Sequence, residues 1–187
     1  MTLADMKKKV LGLIEELNPE SEFLTDDPDI SAKINEVTNQ ILFELARMKK
    51  IPKYVEMEVS AGDTIEFADI EKECGYEIYQ ISLVVGVDCS FKANGTILKM
   101  NESGTAEIDV FVYPERITEK TKDKAYEFEL SPDSLEIMPY GIAADLLKSD
   151  VSAEYGRIYA ERYETMLQRL DPRYAMTSIT FTGGIEV

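Results

Sequence analysis

The spacing of apolar residues changes twice along this chain, and both changes restrict the fold. As far as Ile51-Pro52, apolar residues recur every three or four positions, which is the period of a helix that buries one face. From Tyr54 onward apolar and polar residues alternate, which is the period of a half-buried strand. The helical period returns after Ser131-Pro132. The pattern predicts an α+β protein in which an antiparallel β-sheet or β-sandwich is inserted into an α-helical bundle.

Capping signals divide the helical parts into four predicted helices, two on each side of the insertion. Thr2, with an acidic residue three positions later, predicts the first start, and Asn18-Pro19 predicts the end, because proline disfavours helical geometry in the residue before it. Asp27-Pro28 and Ser131-Pro132 predict the second and third starts, since each combines a capping side chain with proline in the first helical position. The fourth helix is predicted from about Ser152 to Leu170. Its predicted apolar stripe consists of Tyr155, Ile158, Tyr159, Met166, Leu167 and Leu170.

Four segments between the helical parts are rich in β-branched and aromatic residues, as strands are. They are Ile78 to Val87, Ser90 to Lys92, Thr96 to Met100 and Ala106 to Tyr113. Asn94-Gly95 and Ser103-Gly104 separate neighbouring segments and predict hairpin turns. A further extended segment is predicted from Tyr126 to Leu130.

The last residues of the chain form a separate, β-prone segment. Ile179 and Phe181 alternate with polar residues, and Gly183-Gly184 follows them. Such a segment tends to add to the edge of a sheet, in its own chain or in a partner. The reason is that the unpaired backbone N–H and C=O groups of an edge strand form hydrogen bonds with an added strand. The chain thus divides into three predicted parts: a helical domain of residues 1–52 with 131–172, a β insertion of residues 53–130, and an extended C-terminal docking tail of residues 173–187.

The charge balance is strongly acidic. The chain carries 36 Asp and Glu against 20 Lys and Arg, which gives a formal net charge of -16. A protein grips nucleic acid by neutralising phosphates with Lys and Arg, and the basic residues here are scattered, apart from Lys7 to Lys9 and Arg47 to Lys50. Both clusters fit a solvated helix face or a helix end, where cations complement the macrodipole. We therefore expect no specific binding of nucleic acid.

The residue types needed for common catalytic sites are missing. The chain contains no histidine, which removes the commonest general base and the commonest transition-metal ligand. Cys74 and Cys89 lie fifteen positions apart, without the CxxC spacing of zinc and redox sites. Close acidic pairs such as Glu161 and Glu164 are ordinary solvated surface. The sequence predicts a protein that is not an enzyme, with no catalytic, cofactor-binding or metal-binding residues.

Nothing in the sequence indicates a membrane. No stretch approaches the length of a membrane span, and the first residues lack the apolar core of a signal peptide. Two unpaired cysteines fit a reducing compartment. We expect a cytoplasmic protein with no membrane contact.

The order of parts, two helices, a β insert and two more helices, resembles that of the head-to-tail adaptor proteins of tailed bacteriophages. The resemblance spans roughly Asp27 to Asp171 and rests on structural patterns. The matching segments are Gly95 to Leu98, Gly104 to Val110 leading to Tyr113-Pro114 and Ile117-Thr118, Tyr126 to Leu130, Met138 to Leu147, and the tyrosine-bearing helix Tyr155 to Leu170.

The resemblance implies a structural adaptor of the virion neck. Such adaptors form a ring, commonly a dodecamer, that joins the portal protein to the adjacent neck or tail protein. Genomic DNA would pass through the lumen without specific binding, and the protein would occur in the host cytoplasm during assembly and at the head-tail junction of the virion. An acidic lumen would repel phosphates within a Debye length, about 8 to 10 Å. The alternative is that the acidity serves solubility.

The resemblance also implies two sets of contact residues. The helical part would build the ring, and the tail would reach into the portal. The predicted docking residues on the tail are Tyr174, Ile179, Phe181, Gly183, Gly184, Ile185 and Val187. The candidates for contacts between copies are Tyr155, Tyr159 and Tyr163.

Two other functions remain open on the sequence alone. One is a different neck or tail-completion protein of a phage. The other is an acidic DNA mimic that occupies the groove of a nucleic-acid-binding enzyme, which the net charge permits. The state of assembly distinguishes the adaptor from the mimic, because an adaptor forms a ring on the portal and a mimic acts as a monomer or dimer.

Overall fold

The helix starts follow from capping side chains. The computed structural model describes residues 1–21, 24–148 and 153–170. The Thr2 hydroxyl accepts a hydrogen bond from the Asp5 N–H (3.2 Å), and the Asp5 carboxylate accepts one from the Thr2 N–H (3.1 Å). This capping box opens α1 (Leu3–Leu13). Asp27 caps α2 (Pro28–Lys49), and Ser131 caps a later helix, so all three predicted starts are confirmed.

The predicted end of α1 at Asn18-Pro19 is wrong, since the helix ends at Leu13. Glu15 adopts a φ of 62°, and the N–H of Glu16 donates to the carbonyl oxygen of Leu11 at 2.9 Å. This hydrogen bond across a left-handed residue is the Schellman motif, which satisfies a terminal carbonyl and turns the chain out of the helix. Glycine normally marks the motif, so glutamate at this position gives no signal in the sequence.

Six strands and three further helices complete the described part of the chain. In chain order they are β1 (Ile51–Val59), β2 (Thr64–Glu66), α3 (Phe67–Cys74), β3 (Ile78–Val85), β4 (Cys89–Lys92), a 3-10 turn (Ala93–Gly95), β5 (Ile97–Met100), β6 (Gly104–Val112), α4 (Pro132–Leu146) and α5 (Ala153–Leu170). α4 packs against α1, α2 and α5, which explains its nearly continuous apolar sequence. The architecture is α+β, as the change of period predicts.

The six strands form two antiparallel sheets of three strands, β1-β6-β3 and β2-β5-β4. The alternation predicted after Ile51-Pro52 is confirmed in β1, where Val55 and Val59 are buried and Glu56 between them is exposed. The hairpin predicted at Asn94-Gly95 is also confirmed, because β4 and β5 pair across that turn. Each sheet therefore has two edge strands and one central strand.

The hairpin predicted at Ser103-Gly104 is wrong. β5, which precedes this turn, pairs with β2 and β4, whereas β6, which follows it, lies between β1 and β3 in the other sheet. The Ser103 hydroxyl oxygen accepts a hydrogen bond from the Ala61 N–H at 2.8 Å and fixes this passage between sheets. A turn signal marks a change of chain direction and does not specify which strands pair.

No helix is predicted in the β insertion, yet α3 lies there. Glu66 and Asp69 form its capping box, and Gly75 ends it with a φ of 76°. Its buried residue is Ile70, and the helix contacts β1, β2 and β3, so it joins the two sheets. An eight-residue helix with one buried position carries too short a periodic pattern to stand out among strands.

The connection between β6 and α4 is irregular but held by hydrogen bonds. The segment Tyr126 to Leu130, predicted as extended, forms one isolated bridge between Glu127 and Thr2 rather than a strand. Earlier in the connection, the Asn39 side chain of α2 donates to the carbonyl of Ile117 (2.7 Å) and accepts from its N–H (2.8 Å). The connection is therefore attached to both α1 and α2.

One buried apolar cluster contains residues of α1, α2, α4 and α5 and of both sheets. Leu42 in α2, Ile108 in β6 and Ile142 in α4 are fully buried within it. This shared cluster positions α5 relative to the rest of the described structure. Within the described ranges, no helix combines the length and the apolar content that crossing a bilayer requires.

Candidate functional site

Tyr163 fixes α5 against α2 and α4. Its side chain is 8% exposed, and its hydroxyl donates a hydrogen bond to Glu44 Oε2 at 2.9 Å. Burial, followed by the charge of Glu44 and this hydrogen bond, raises the pKa of Tyr163 far above its ordinary value. The phenol is therefore a proton donor across the physiological range, and it serves as a joint between helices.

Tyr159 provides a second attachment, one helical turn away. Its hydroxyl donates to the backbone carbonyl of Leu13 at 2.5 Å. Leu13 is the last residue of α1, where helix carbonyls lack partners within the helix. The ring of Tyr159 also lies 6.4 Å from that of Tyr140 on α4, so α5 is tied to both neighbouring helices.

The three tyrosines predicted to contact a neighbouring copy differ in how far they are buried within their own subunit. Tyr163 is buried among α2, α4 and α5 and leaves little surface for a neighbouring copy. Tyr159 is half-buried and hydrogen-bonded within the chain. Tyr155 is 64% exposed and remains a candidate.

The apolar residues of α5 do not form the single stripe predicted from sequence. Tyr159, Tyr163 and Leu170 face inward, whereas Tyr155 and Ile158 face outward, and Ile158 is 52% exposed. Residues that are three or four positions apart lie on the same side of a helix, so other outward-facing residues of α5 lie beside Tyr155 and Ile158. We call this surface the α5 stripe, and it consists of Tyr155, Ile158, Arg162, Thr165, Met166 and Arg169.

The α5 stripe carries two arginines, Arg162 and Arg169, although the chain as a whole has a formal net charge of -16. Glu161 borders the stripe, because it lines the same shallow groove as Ile158 and Arg162, whereas Glu164 lines a different groove of the helix. Arg162 belongs to the stripe, and its Cζ atom lies 4.3 Å from the ring centroid of Tyr140. This cation–π contact holds the guanidinium beside the apolar residues and orders it for binding.

The outer face of the sheet β1-β6-β3 has the opposite charge. Glu56 of β1 lies directly across from Glu107 of β6, and Tyr54 lies across from Asp109. Leu83 of β3 lies across from Asp109 on the other side of β6. We call this surface the acidic sheet face, and it consists of Tyr54, Glu56, Glu58, Leu83, Val85, Thr105, Glu107 and Asp109.

Large apolar side chains lie among the acids of this face. Tyr54 is 53% exposed and Leu83 is 51% exposed. The Tyr54 hydroxyl donates to Glu56, and this hydrogen bond, followed by desolvation and the charges of Glu56, Glu107 and Asp109, raises the pKa of Tyr54 to about 12.

A groove of about 880 Å³ lies between α2 and the connection after β6. In its wall Lys7 pairs with Asp123 at 2.8 Å, and the Arg116 guanidinium lies 4.9 Å from the ring centroid of Phe43. Asn35 contributes a buried amide oxygen without a protein partner, a position typical of a bound water molecule.

Within the part of the chain that the structure describes, no group of three or more acidic or thiol side chains is placed to hold a metal ion. The predicted docking residues of the tail lie outside the described residues: Tyr174, Ile179, Phe181, Gly183, Gly184, Ile185 and Val187. The α5 stripe and the acidic sheet face are therefore the candidate functional surfaces.

No protein-family model matches the chain, and no curated protein matches it.

Proposed function

We propose that this protein is a structural adaptor of a tailed-bacteriophage neck, in which a ring of identical copies joins the portal protein to the adjacent neck or tail protein. The observation that carries the proposal is the α5 stripe, an exposed apolar and cationic surface on a helix that two tyrosine hydrogen bonds fix in place. Such surfaces favour protein contacts, because Tyr, Met and Arg are enriched in interfaces and exposed apolar area is desolvated there.

The plan of the chain supports the same proposal. In our account the helical part (residues 1–52 and 131–172) builds the ring, the β insertion (53–130) forms a sandwich-like projection, and the tail (173–187) docks on the portal. The described order of helices, strands and helices agrees with this plan. The ring, commonly a dodecamer, and the identity of the partners are what the resemblance to phage adaptors implies.

The acidity of the chain supports a channel that conducts DNA without binding it. With a formal net charge of -16, a ring of many copies would repel phosphates near its lumen. We place the protein in the host cytoplasm during assembly and at the head-tail junction of the virion.

The acidic sheet face favours a second candidate, a DNA mimic that inhibits a nucleic-acid-binding enzyme. Glu56, Glu107 and Asp109 place carboxylates side by side on an exposed surface. The α5 stripe argues for the adaptor, because a mimic has no use for an exposed cationic and apolar helix on the same subunit.

Sedimentation of the chain with the portal protein of the same phage tests the proposal. We expect the chain to co-sediment with the portal in a fixed ratio. If the chain stays at the top of the gradient at every salt concentration and instead binds a basic nucleic-acid enzyme, the adaptor proposal is wrong and the mimic is supported.

A further inference from the structure

A ring of identical copies needs two different surfaces on each copy, because a head-to-tail contact joins one patch to another rather than to itself. The α5 stripe and the acidic sheet face are two such surfaces. Tyr155 and Ile158 on the stripe, and Tyr54, Leu83 and Val85 on the sheet face, are about half exposed or more within the subunit, so the two surfaces do not cover each other in one chain. We propose that the α5 stripe of one copy packs across the acidic sheet face of the next copy, an inference that rests on the proposed ring.

The two surfaces are complementary in charge. The stripe offers Arg162 and Arg169, with Glu161 at its border, whereas the sheet face offers four carboxylates, among them Glu56 and Glu107, in adjacent register positions. Like charges directly opposite each other on neighbouring strands destabilise an isolated sheet. A guanidinium from the next copy, lying between Glu56 and Glu107, would remove this repulsion and form charge-assisted hydrogen bonds.

The two surfaces also agree in length and layer type. α5 has 18 residues, which span about 27 Å. β1 and β6 have nine residues each, which span about 30 Å. A helix laid along the strands of a sheet is one of the ordinary layer arrangements of proteins. Tyr155 and Ile158 would then meet the apolar positions Tyr54 and Leu83 of the neighbouring copy.

A reciprocal charge reversal tests the contact. The variants are Arg162→Glu on the stripe and Glu107→Arg on the sheet face, together with the double variant. Assembly is measured by analytical ultracentrifugation as a function of concentration, in the presence of the portal protein, and circular dichroism checks that each variant is folded. We expect each single change to weaken assembly at least tenfold, and the double variant to recover most of that loss.

Mixing the two single variants gives a further readout. Each variant keeps one native surface, so alternating copies satisfy every contact in a ring with an even number of copies. The equimolar mixture should therefore assemble where neither variant does alone. Matched controls are Arg157→Glu on the acidic side of α5 and Glu36→Arg on α2, both at exposed positions, and we expect unchanged assembly for each.

The outcomes separate this inference from the proposed function. If the wild-type ring forms and neither single variant weakens it, or the double variant recovers nothing, the ring stands and this contact is wrong. If Arg162→Glu abolishes portal binding but leaves self-assembly intact, the stripe faces the portal and the inference is again overturned. If the wild-type chain forms no ring with or without the portal, the proposed function fails, and this contact fails with it.

Discussion

A Cβ atom placed on Gly141 of α4 would lie 2.9 Å from Cε2 of Tyr163 on α5. Carbon atoms do not approach so closely without a shift, so the contact between these two helices requires glycine at this position. The same tyrosine holds α5 to α2 through Glu44. The orientation of the α5 stripe therefore depends on a residue that has no side chain.

Gly141→Ala should lower the free energy of unfolding by up to about 2 kcal/mol. Overpacking costs about 1–3 kcal/mol, and the better helix propensity of alanine returns only about 1 kcal/mol of it. The matched control is Gly12→Ala in α1, where nothing lies within 4 Å of the added carbon and a gain of about 0.5–1 kcal/mol is expected. Urea denaturation measures both, and equal gains in the two variants would contradict the close approach.

Asn39→Ala should lower the free energy of unfolding by about 2–6 kcal/mol. The change leaves both backbone groups of the buried Ile117 without partners, and each unpaired group costs about 1–3 kcal/mol. Gln40→Ala, at the next and exposed position of α2, should change stability by no more than about 0.5 kcal/mol. A loss in Asn39→Ala no larger than in Gln40→Ala would show that the connection is held in another way.

Tyr54 should titrate with a pKa of about 12, against an ordinary value near 10. Because the folded state raises this pKa, the associated stabilisation is complete below pH 10 and is lost as the pH rises through about 12. NMR of ¹³C-labelled tyrosine, assigned with Tyr54→Phe, measures the titration. Glu56→Gln should bring the pKa back toward 10, and an ordinary pKa in the wild-type protein would contradict the hydrogen bond from Tyr54 to Glu56.

Deletion of residues 178–187 should leave the fold intact and abolish docking on the portal. The described helices and sheets share a buried cluster built from residues between Leu3 and Leu170, and we expect this cluster to be sufficient for folding. Circular dichroism with urea denaturation measures the fold, and co-sedimentation with the portal measures docking. A large loss of stability would show that the tail is an internal strand of the subunit.

Local signals in the sequence predicted local structure well. The capping residues Thr2, Asp27 and Ser131 marked helix starts correctly, because a cap acts over three or four residues of the same segment. The end of α1 was missed because Glu15 takes a left-handed conformation that glycine usually supplies. Strand pairing after Ser103 was missed because pairing depends on distant residues, which a turn signal does not specify.

The candidate surfaces were less predictable for a related reason. On α5 the sequence shows apolar residues at helical spacing but not which neighbour covers them, so Tyr155 and Tyr163 look equivalent until α4 is placed. The acidic sheet face requires the register of β1, β6 and β3, which places Glu56 beside Glu107 although 51 positions separate them in the sequence. The sequence did carry one signal, because Arg162 and Arg169 follow Ile158 at helical spacing within an acidic chain.

Native mass spectrometry of the chain mixed with its portal protein tests the central claim most directly. The account predicts one closed assembly that contains a fixed number of 21.1 kDa copies bound to a portal ring, with twelve expected from the resemblance. A chain that remains a monomer or dimer across concentration and salt, with no mass added to the portal, would contradict the account.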